Sequence, residues 1–486
     1  MALQIYNVLG REKQEFRPLE EGKINMYVCG PTVYDHPHIG HGKSYVSFDV
    51  VTRYLRYSGY DVLYVQNITD VGHLLDDGED RILKKARQSA SKPMQIVETY
   101  TRSFYESMDA LNVHRPDINP RASGHIPEQI AMIQTLLAKG HAYEVEGNVY
   151  FDVTSFPDYG KLSNQRLEQH EDGSREHVRD EKRHPADFAL WKRAEAEHIL
   201  QWDSPWGWGF PGWHIECSAM AAKYLGQTFD IHGGGIDNIF PHNECEIAQS
   251  EAAHGQPFAN YWMLVGSLMV PEPESNVAVK MSKSLGNFIT LRDALQTYPG
   301  EVLRTLVLSS HYSSTLIFTP DSFDAAKNGW ERLMGAVRLT RQLLPKAPEG
   351  DAGNGFLSVL ASTEDKFRAA MDDDFNAPQA LATLYDLTRE VNQLLNSDTV
   401  VGQNVLRAID ECYLDLGGRV LGIVPENLGS SVNAEREAGL IQLLIDLRKR
   451  ARESKNFAES DRIRAELAAM GVVLEDRADG TIWKYS

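Results

Sequence analysis

One stretch near the N-terminus limits the fold more than any other: Val28-Cys29-Gly30-Pro31-Thr32, followed at once by His38-Ile39-Gly40-His41. Upstream, Ile24-Asn25-Met26-Tyr27-Val28 is short and largely apolar and reads as a strand, which Gly30-Pro31 stops because proline removes a ladder donor. Downstream, Val46, Val50, Val51, Tyr54 and Leu55 recur at helical spacing, and Gly59 closes that helix. A second buried strand follows at Val62-Leu63-Tyr64-Val65. The result is a β-loop-α-β unit whose loop carries two histidines around a glycine where a helix begins. The first turn of a helix leaves N–H groups unpaired and holds partial positive charge, which suits a phosphate. Gly40 permits close approach of a ligand, and the imidazoles can donate to phosphate oxygens. A solvated, histidine-rich loop is the other use of such a stretch.

Far down the chain, Lys280-Met281-Ser282-Lys283-Ser284-Leu285-Gly286-Asn287 has no packing logic of its own. Two lysines among serines are ordinarily a surface loop. Together with a strand-to-helix His-Ile-Gly-His, they resemble the ATP-binding motifs of class I aminoacyl-tRNA synthetases.

Composition bounds the remaining possibilities. A chain of 486 residues exceeds one small core, so two to four domains are expected. No run of eighteen apolar residues offers a membrane span, and the first residues lack the basic and apolar regions of a secretory signal, so a cytoplasmic protein is expected. The formal net charge of −19 argues against a polyanionic partner unless a local basic face overrides it. Arg448-Lys449-Arg450-Ala451-Arg452, with Lys455, Arg462 and Arg464, is such a face or the solvated side of a helix, and Trp483 nearby is a stacking platform or core. Four scattered cysteines (Cys29, Cys217, Cys245 and Cys412) do not make a disulfide framework and favour a metal or catalytic use near the motifs.

Polar Asn67-Ile68-Thr69-Asp70 ends the second strand, at the edge where open parallel sheets bind ligands. Residues 74–112 read as helical and charged, 147–153 as a strand, and 164–182 as strongly charged. A cluster of tryptophan, glycine and proline over 202–213 predicts a structured pocket wall, and Cys217, Met220, Ala221, Tyr224 and Leu225 follow helical spacing. Phe229-Asp230-Ile231-His232 reads as a strand running into Gly233-Gly234-Gly235, three glycines after a strand that permit positive φ and leave the backbone open to a ligand. From Ser322 the chain reads as all-helical, with a break at Asn376-Ala377-Pro378, and the last segment as two helices and two strands.

His242 and Glu246 lie four apart on a predicted helix and share a face. With Cys217 and Cys29 they converge on the same sheet edge. Such a set can hold zinc, although its spacing matches no compact zinc finger. Small buried cysteines and a His/Glu pair on a helix surface would give the same pattern.

The stretches around Cys29, Gly212-Trp213-His214-Ile215-Glu216-Cys217-Ser218, Asp230 to Gly235, Phe240-Pro241-His242 with Glu246-Ile247-Ala248-Gln249-Ser250, Lys280 to Phe288, and Asp479-Gly480-Thr481-Ile482-Trp483 resemble the cysteinyl-tRNA synthetase family nearly end to end. The resemblance implies an α/β fold: a Rossmann-type parallel-sheet catalytic domain split by an insertion, then a helical bundle and a small C-terminal tRNA-binding domain. The implied divisions are catalytic halves at 1–114 and 185–265, an inserted connective subdomain at 115–184, and a stem-contact region with the lysine loop at 266–321. The bundle would occupy 322–423 and an anticodon-binding domain 434–486. It implies one Zn2+ per subunit on Cys29, Cys217, His242 and Glu246, taking the substrate thiolate directly. Gly30, Thr69 and Trp213 would shape the cysteine pocket. ATP, with Mg2+, would meet His38, Gly40, His41, His232, Asp237, Lys280 and Lys283, of which the two histidines of the loop and the two lysines would be catalytic. The implied partners are L-cysteine, ATP and tRNA(Cys), the expected state a monomer without membrane association. Two alternatives share these motifs, a cysteine:aminosugar ligase and a catalytically idle RNA-binding paralogue. The C-terminal region weighs against the first and the intact motifs against the second. Asn243 and Cys245 depart from the histidine and asparagine of many family members, and Cys245 places an extra thiol beside the proposed zinc helix, where it competes with Cys217 as a ligand. Phe210 stands where some carry a basic residue.

Overall fold

The computed structural model describes residues 2–73, 80–165, 181–195, 198–272, 277–281, 287–427, 433–477 and 480–485. They form two units, Met1–Val424 and Pro425–Ser486.

The first unit is built on a four-stranded parallel sheet in the spatial order Ala259–Val265, Phe229–Gly235, Lys23–Val28, Asp61–Gln66. The expected unit is present: Lys23–Val28 leads through the histidine loop into the helix Ile39–Tyr57 and on to Asp61–Gln66. That helix buries Val46, Val50, Val51, Tyr54 and Leu55, as their spacing requires. Each such side chain stabilises the fold by roughly 1.5–3 kcal/mol. Ser58 caps the helix, and Gly59 follows at φ +94°, a left-handed conformation that suits glycine. Asp61–Gln66 lies on one side of Lys23–Val28 and Phe229–Gly235 on the other, so the strand order switches at Lys23–Val28. A crevice opens outside the carboxyl ends at such a point.

Two expectations need correction. The glycines at 233–235 do not follow the strand but lie within it, paired with Met263, Leu264 and Val265, and none has positive φ. Gly233 is there for room: a Cβ would sit 2.4 Å from Cε1 of Phe48. The insertion also runs past 184. Its antiparallel sheet joins Ala142–Val145, Asn148–Phe151, Phe188–Arg193 and Gly209–Pro211, so residues assigned to the second catalytic half complete it. Trp191, Leu190 and Val149 are fully buried there, which gives Phe188–Arg193 a reason to pair with this sheet. Most of the charged stretch 164–182 lies outside the described residues.

Helices Pro320–Leu343, Leu357–Asp372, Ala377–Leu395 and Gln403–Cys412 make up the bundle, and Asn376 caps the third through the amide of Gln379. A buried knot ties the bundle to the helix Ile39–Tyr57. Asp49 accepts from Arg53 and Arg304, and Arg304 also donates to the carbonyls of Leu111, Asn112 and Leu421.

The second unit has helices Asn433–Glu453 and Phe457–Ala469 and the hairpin Val472–Arg477 with Gly480–Tyr485. Ile441, Ile445, Ile463, Leu467, Val472 and Leu474 form its core, with Trp483 packed against it. The basic face is smaller than the sequence implied. Arg448 is buried and donates twice to Asp476 at 2.8 Å, Arg452 joins it at 3.1 Å, and Arg462 pairs with Glu459 and Glu466. Lys449, Arg450 and Lys455 are exposed. Among the described residues, no helix is long and apolar enough to cross a membrane.

Candidate functional site

At the switch point lies a cavity of about 460 Å³, lined by Cys29 to Thr32, the histidine loop, Trp213, Gly234 to Asn238, and Lys280. Gly30 is required at its wall: its N–H donates to Oδ1 of Asn67 at 2.7 Å, and a Cβ would meet the Asn67 carbonyl. His38 caps the Ile39–Tyr57 helix, its Nδ1 accepting from the Gly40 N–H at 3.1 Å. Nδ1 of His41 in turn accepts from the His38 N–H at 3.1 Å. An imidazole that accepts at Nδ1 carries its hydrogen on Nε2 when neutral. Burial, with His38 beside it, holds His41 neutral by pushing its pKa well down. The two ring centroids lie 3.9 Å apart, with the planes tilted by 44°. The loop thus presents imidazole N–H donors and uses one early amide for its own cap.

Across the cavity, Lys280 pairs with Asp237, and both side chains are exposed. Lys283 lies outside the described residues. His73, Arg81, Tyr34 and Phe48 also line the cavity, and sequence reasoning missed them. His73 is a few residues past the polar strand end at Asn67 to Asp70, which was the available signal.

Beside the cavity, Cys29, Cys217, His242 and Glu246 are all buried and bring four ligand atoms within 4.8 Å of one another. The Cys29 thiol is 3.9 Å and Nε2 of His242 3.8 Å from Oε1 of Glu246. Zinc bonds of about 2.0–2.3 Å in a tetrahedron put ligand atoms roughly 3.3–3.8 Å apart, close to this spacing. Electrostatics agree. The hydrogen bond shared with Cys29, followed by burial, pushes the Cys217 thiol well up. Burial would raise Glu246, but His232 and His242 outweigh it and hold the carboxyl at about 2. Two thiols beside a carboxylate do not ionise together unless a cation joins them.

Comparison with known proteins decides the family. The model for the catalytic domain of class I (C) tRNA synthetases matches residues 15–328, a DALR domain matches 366–425, and the cysteinyl-tRNA ligase anticodon binding domain matches 441–483. A cysteine–tRNA ligase of Chlorobium chlorochromatii is 51% identical over 99% of both chains. One from Deinococcus radiodurans is 49% identical over 99% of this chain and 96% of its own, and one from Thermus thermophilus 47% over 100% and 99%. The chain belongs to the cysteine–tRNA ligase family. In fold it is similar to methionyl-tRNA synthetase of Mycobacterium tuberculosis, at 15% identity and a TM-score of 0.58 over 83% of this chain and 92% of that one.

For a cysteine–tRNA ligase, several residues stand elsewhere than expected. His232, expected at the adenylate, does not line the cavity. It is fully buried, stacked on Trp262 at 4.2 Å, with Nε2 3.2 Å from Oε1 of Glu246. Thr69, expected in the cysteine pocket, is also absent from the lining. It accepts from Nδ2 of Asn67 at 3.1 Å and holds the loop through backbone bonds with Pro31 and Val33. Trp213 does line the cavity, its indole between His73 at 4.1 Å and His242 at 4.3 Å. Cys245 is outside the four-donor group; its Sγ lies 3.5 Å from the Tyr159 hydroxyl in a separate apolar cluster. Asn243 donates to Oε2 of Glu246 at 2.7 Å. Phe210 is buried and stacks on His198 at 4.2 Å.

Proposed function

We propose that this enzyme activates L-cysteine with ATP and Mg2+ to cysteinyl-adenylate and transfers the cysteinyl group to the 3′-terminal ribose of tRNA(Cys), with one zinc ion held by Cys29, Cys217, His242 and Glu246. The observation that carries the reading is the buried four-donor cluster meeting the histidine-lined cavity at Cys29. Zinc there would supply a soft, thiolate-preferring centre. That matters because serine differs from cysteine by one atom, and shape alone rejects such near-isosteres only about a hundredfold.

The chain's own residues perform the rest. Trp213 and Gly30 wall the amino-acid end. As the cysteine carboxylate attacks the α-phosphorus and pyrophosphate departs, His38 and His41 donate to the phosphate oxygens. Lys280 and Lys283 neutralise the charge that accumulates, which is what in-line phosphoryl transfer chiefly needs. A terminal ribose hydroxyl then takes the cysteinyl group and AMP leaves. The unit at 434–486 reads the anticodon, and the protein works as a cytoplasmic monomer. Cysteine-dependent ATP–pyrophosphate exchange, run with metal analysis, tests the proposal. About one zinc per chain is expected, with exchange lost on chelation and little exchange with serine. Full activity in metal-free protein would overturn the zinc assignment, and exchange indifferent to cysteine would overturn the whole reading.

A further inference from the structure

A metal-binding imidazole has two nitrogens, and the one that does not bind metal must carry a hydrogen and hand it to an acceptor. The acceptor fixes both the tautomer and the angle of the ring. For His242 the two ends are distinct. Nε2 faces Glu246 at 3.8 Å, and Nδ1 is 3.0 Å from Nδ1 of His214.

We propose that His214 is a positioning residue for the metal site, its Nδ1 accepting the Nδ1–H of His242 so that the Nε2 lone pair is turned to the ion. The inference rests on the zinc reading of the four-donor cluster.

Spacing explains why this residue can do it. His214 and Cys217 lie three apart in the helix Trp213–Leu225 and so share a face. His242 and Glu246 share a face of the neighbouring segment, four apart. One helix face therefore delivers a thiol ligand and the support for the imidazole ligand. His214 is itself fixed. Gln249, with its amide oriented to satisfy both ends, donates to the His214 carbonyl at 2.9 Å, and Phe188 meets the ring edge-on at 5.6 Å. Trp213 braces the face of the His242 ring.

The choice of histidine has an electrostatic reason. Such acceptors are commonly carboxylates or carbonyls. Two thiolates and Glu246 already place three negative charges against a dication, and another carboxylate would add a fourth in a buried setting. A neutral imidazole accepts the hydrogen without adding charge.

The test is zinc retention by full-length protein in competition with a chromophoric chelator, together with the ligand-field spectrum of the cobalt-substituted protein. His214→Leu is expected to weaken zinc binding about 10–100-fold and to shift the cobalt bands. His214→Asn, whose amide oxygen falls near the position of Nδ1, is expected to keep most of the affinity and the spectrum. The melting point of the metal-free protein separates positioning from general support, and it should be the same in all three proteins. Should the leucine variant not fold, His214→Gln, which places its oxygen near Nε2 instead, carries the same expectation of loss. Wild-type affinity and spectrum in the leucine or glutamine variant would overturn the proposal, as would equal loss in the asparagine variant. If wild-type protein retains no zinc, the metal reading itself fails and this inference falls with it.

Discussion

Replacing Gly233 with alanine tests why that glycine is in the sheet. Its strand is paired on both sides, to Val28 and to Met263, so the backbone has little freedom to retreat. The new Cβ would lie 2.4 Å from Cε1 and 2.5 Å from Cζ of Phe48, and 3.0 Å from Cγ2 of Val28. Carbon contacts settle at about 3.5–4.0 Å, so the ring must move by roughly 1 Å. Overpacking of this kind costs about 1–3 kcal/mol, here in the upper half because Phe48 is itself buried. Phe48 lines the cavity, so the displaced ring should also raise the KM for ATP. Gly235→Ala is the control: nothing lies within 4 Å of its Cβ, so it should be harmless or slightly stabilising. Phe48→Leu should relieve the clash, giving a double mutant about as stable as Phe48→Leu alone, with a coupling of about 2–3 kcal/mol, the whole cost of the glycine substitution. Melting points of the four proteins and pyrophosphate exchange provide the readout. Strain from backbone conformation would survive the loss of the ring, so strictly additive effects would refute the steric account.

Arg304→Met should destabilise the first unit by about 3–5 kcal/mol, because it leaves Asp49 short of a buried partner and the carbonyls of Leu111 and Leu421 without this donor, while that of Asn112 keeps Arg53. It should also change the acid limb of the melting profile. Burial alone would raise Asp49, but Arg304 and then Arg53 outweigh it and hold the carboxyl below its ordinary value. Its stabilisation is therefore complete above the ordinary carboxylate pKa of about 4 and is lost as pH falls through the lower folded value. With Arg304 gone, the folded value moves back toward the ordinary one, so less stability should be lost on acidification, and an unchanged acid limb would reject that account. Deleting residues 434–486 should leave cysteine-dependent pyrophosphate exchange largely intact and greatly weaken charging of tRNA, since that unit has its own core. Equal loss of both activities would mean that it supports the catalytic fold instead.

The β-loop-α-β unit was legible because local signals agreed: an apolar run, a Gly-Pro stop, a 3.6-residue period and a closing glycine all lie within about forty residues of sequence. The insertion's boundary was not, because Phe188–Arg193 is indistinguishable from a parallel core strand until its partner is known, and its partner is Asn148–Phe151. Gly233 was misread for a similar reason. A glycine run says that a side chain is unwelcome, but only the position of Phe48 says whether conformation or space excludes it.

The same division runs through the site. His242 and Glu246 could be paired from spacing, since a helix fixes which residues share a face. Choosing between Cys217 and Cys245 could not be done that way, because each lies on a helix near the same sheet edge; Tyr159, from the insertion, marks the environment of the second. Charge was the least legible property. Arg448 reads as an exposed cation in a basic run, yet its guanidinium is buried and matched by Asp476, twenty-eight residues further on. A count of charges therefore overstates what a polyanion can meet on this unit. Of the seven cations, Arg448, Arg452 and Arg462 are engaged by carboxylates, while Lys449, Arg450 and Lys455 stand exposed. A chain with a net charge of −19 that must bind RNA depends all the more on where such residues lie, and partners distant in sequence decide that.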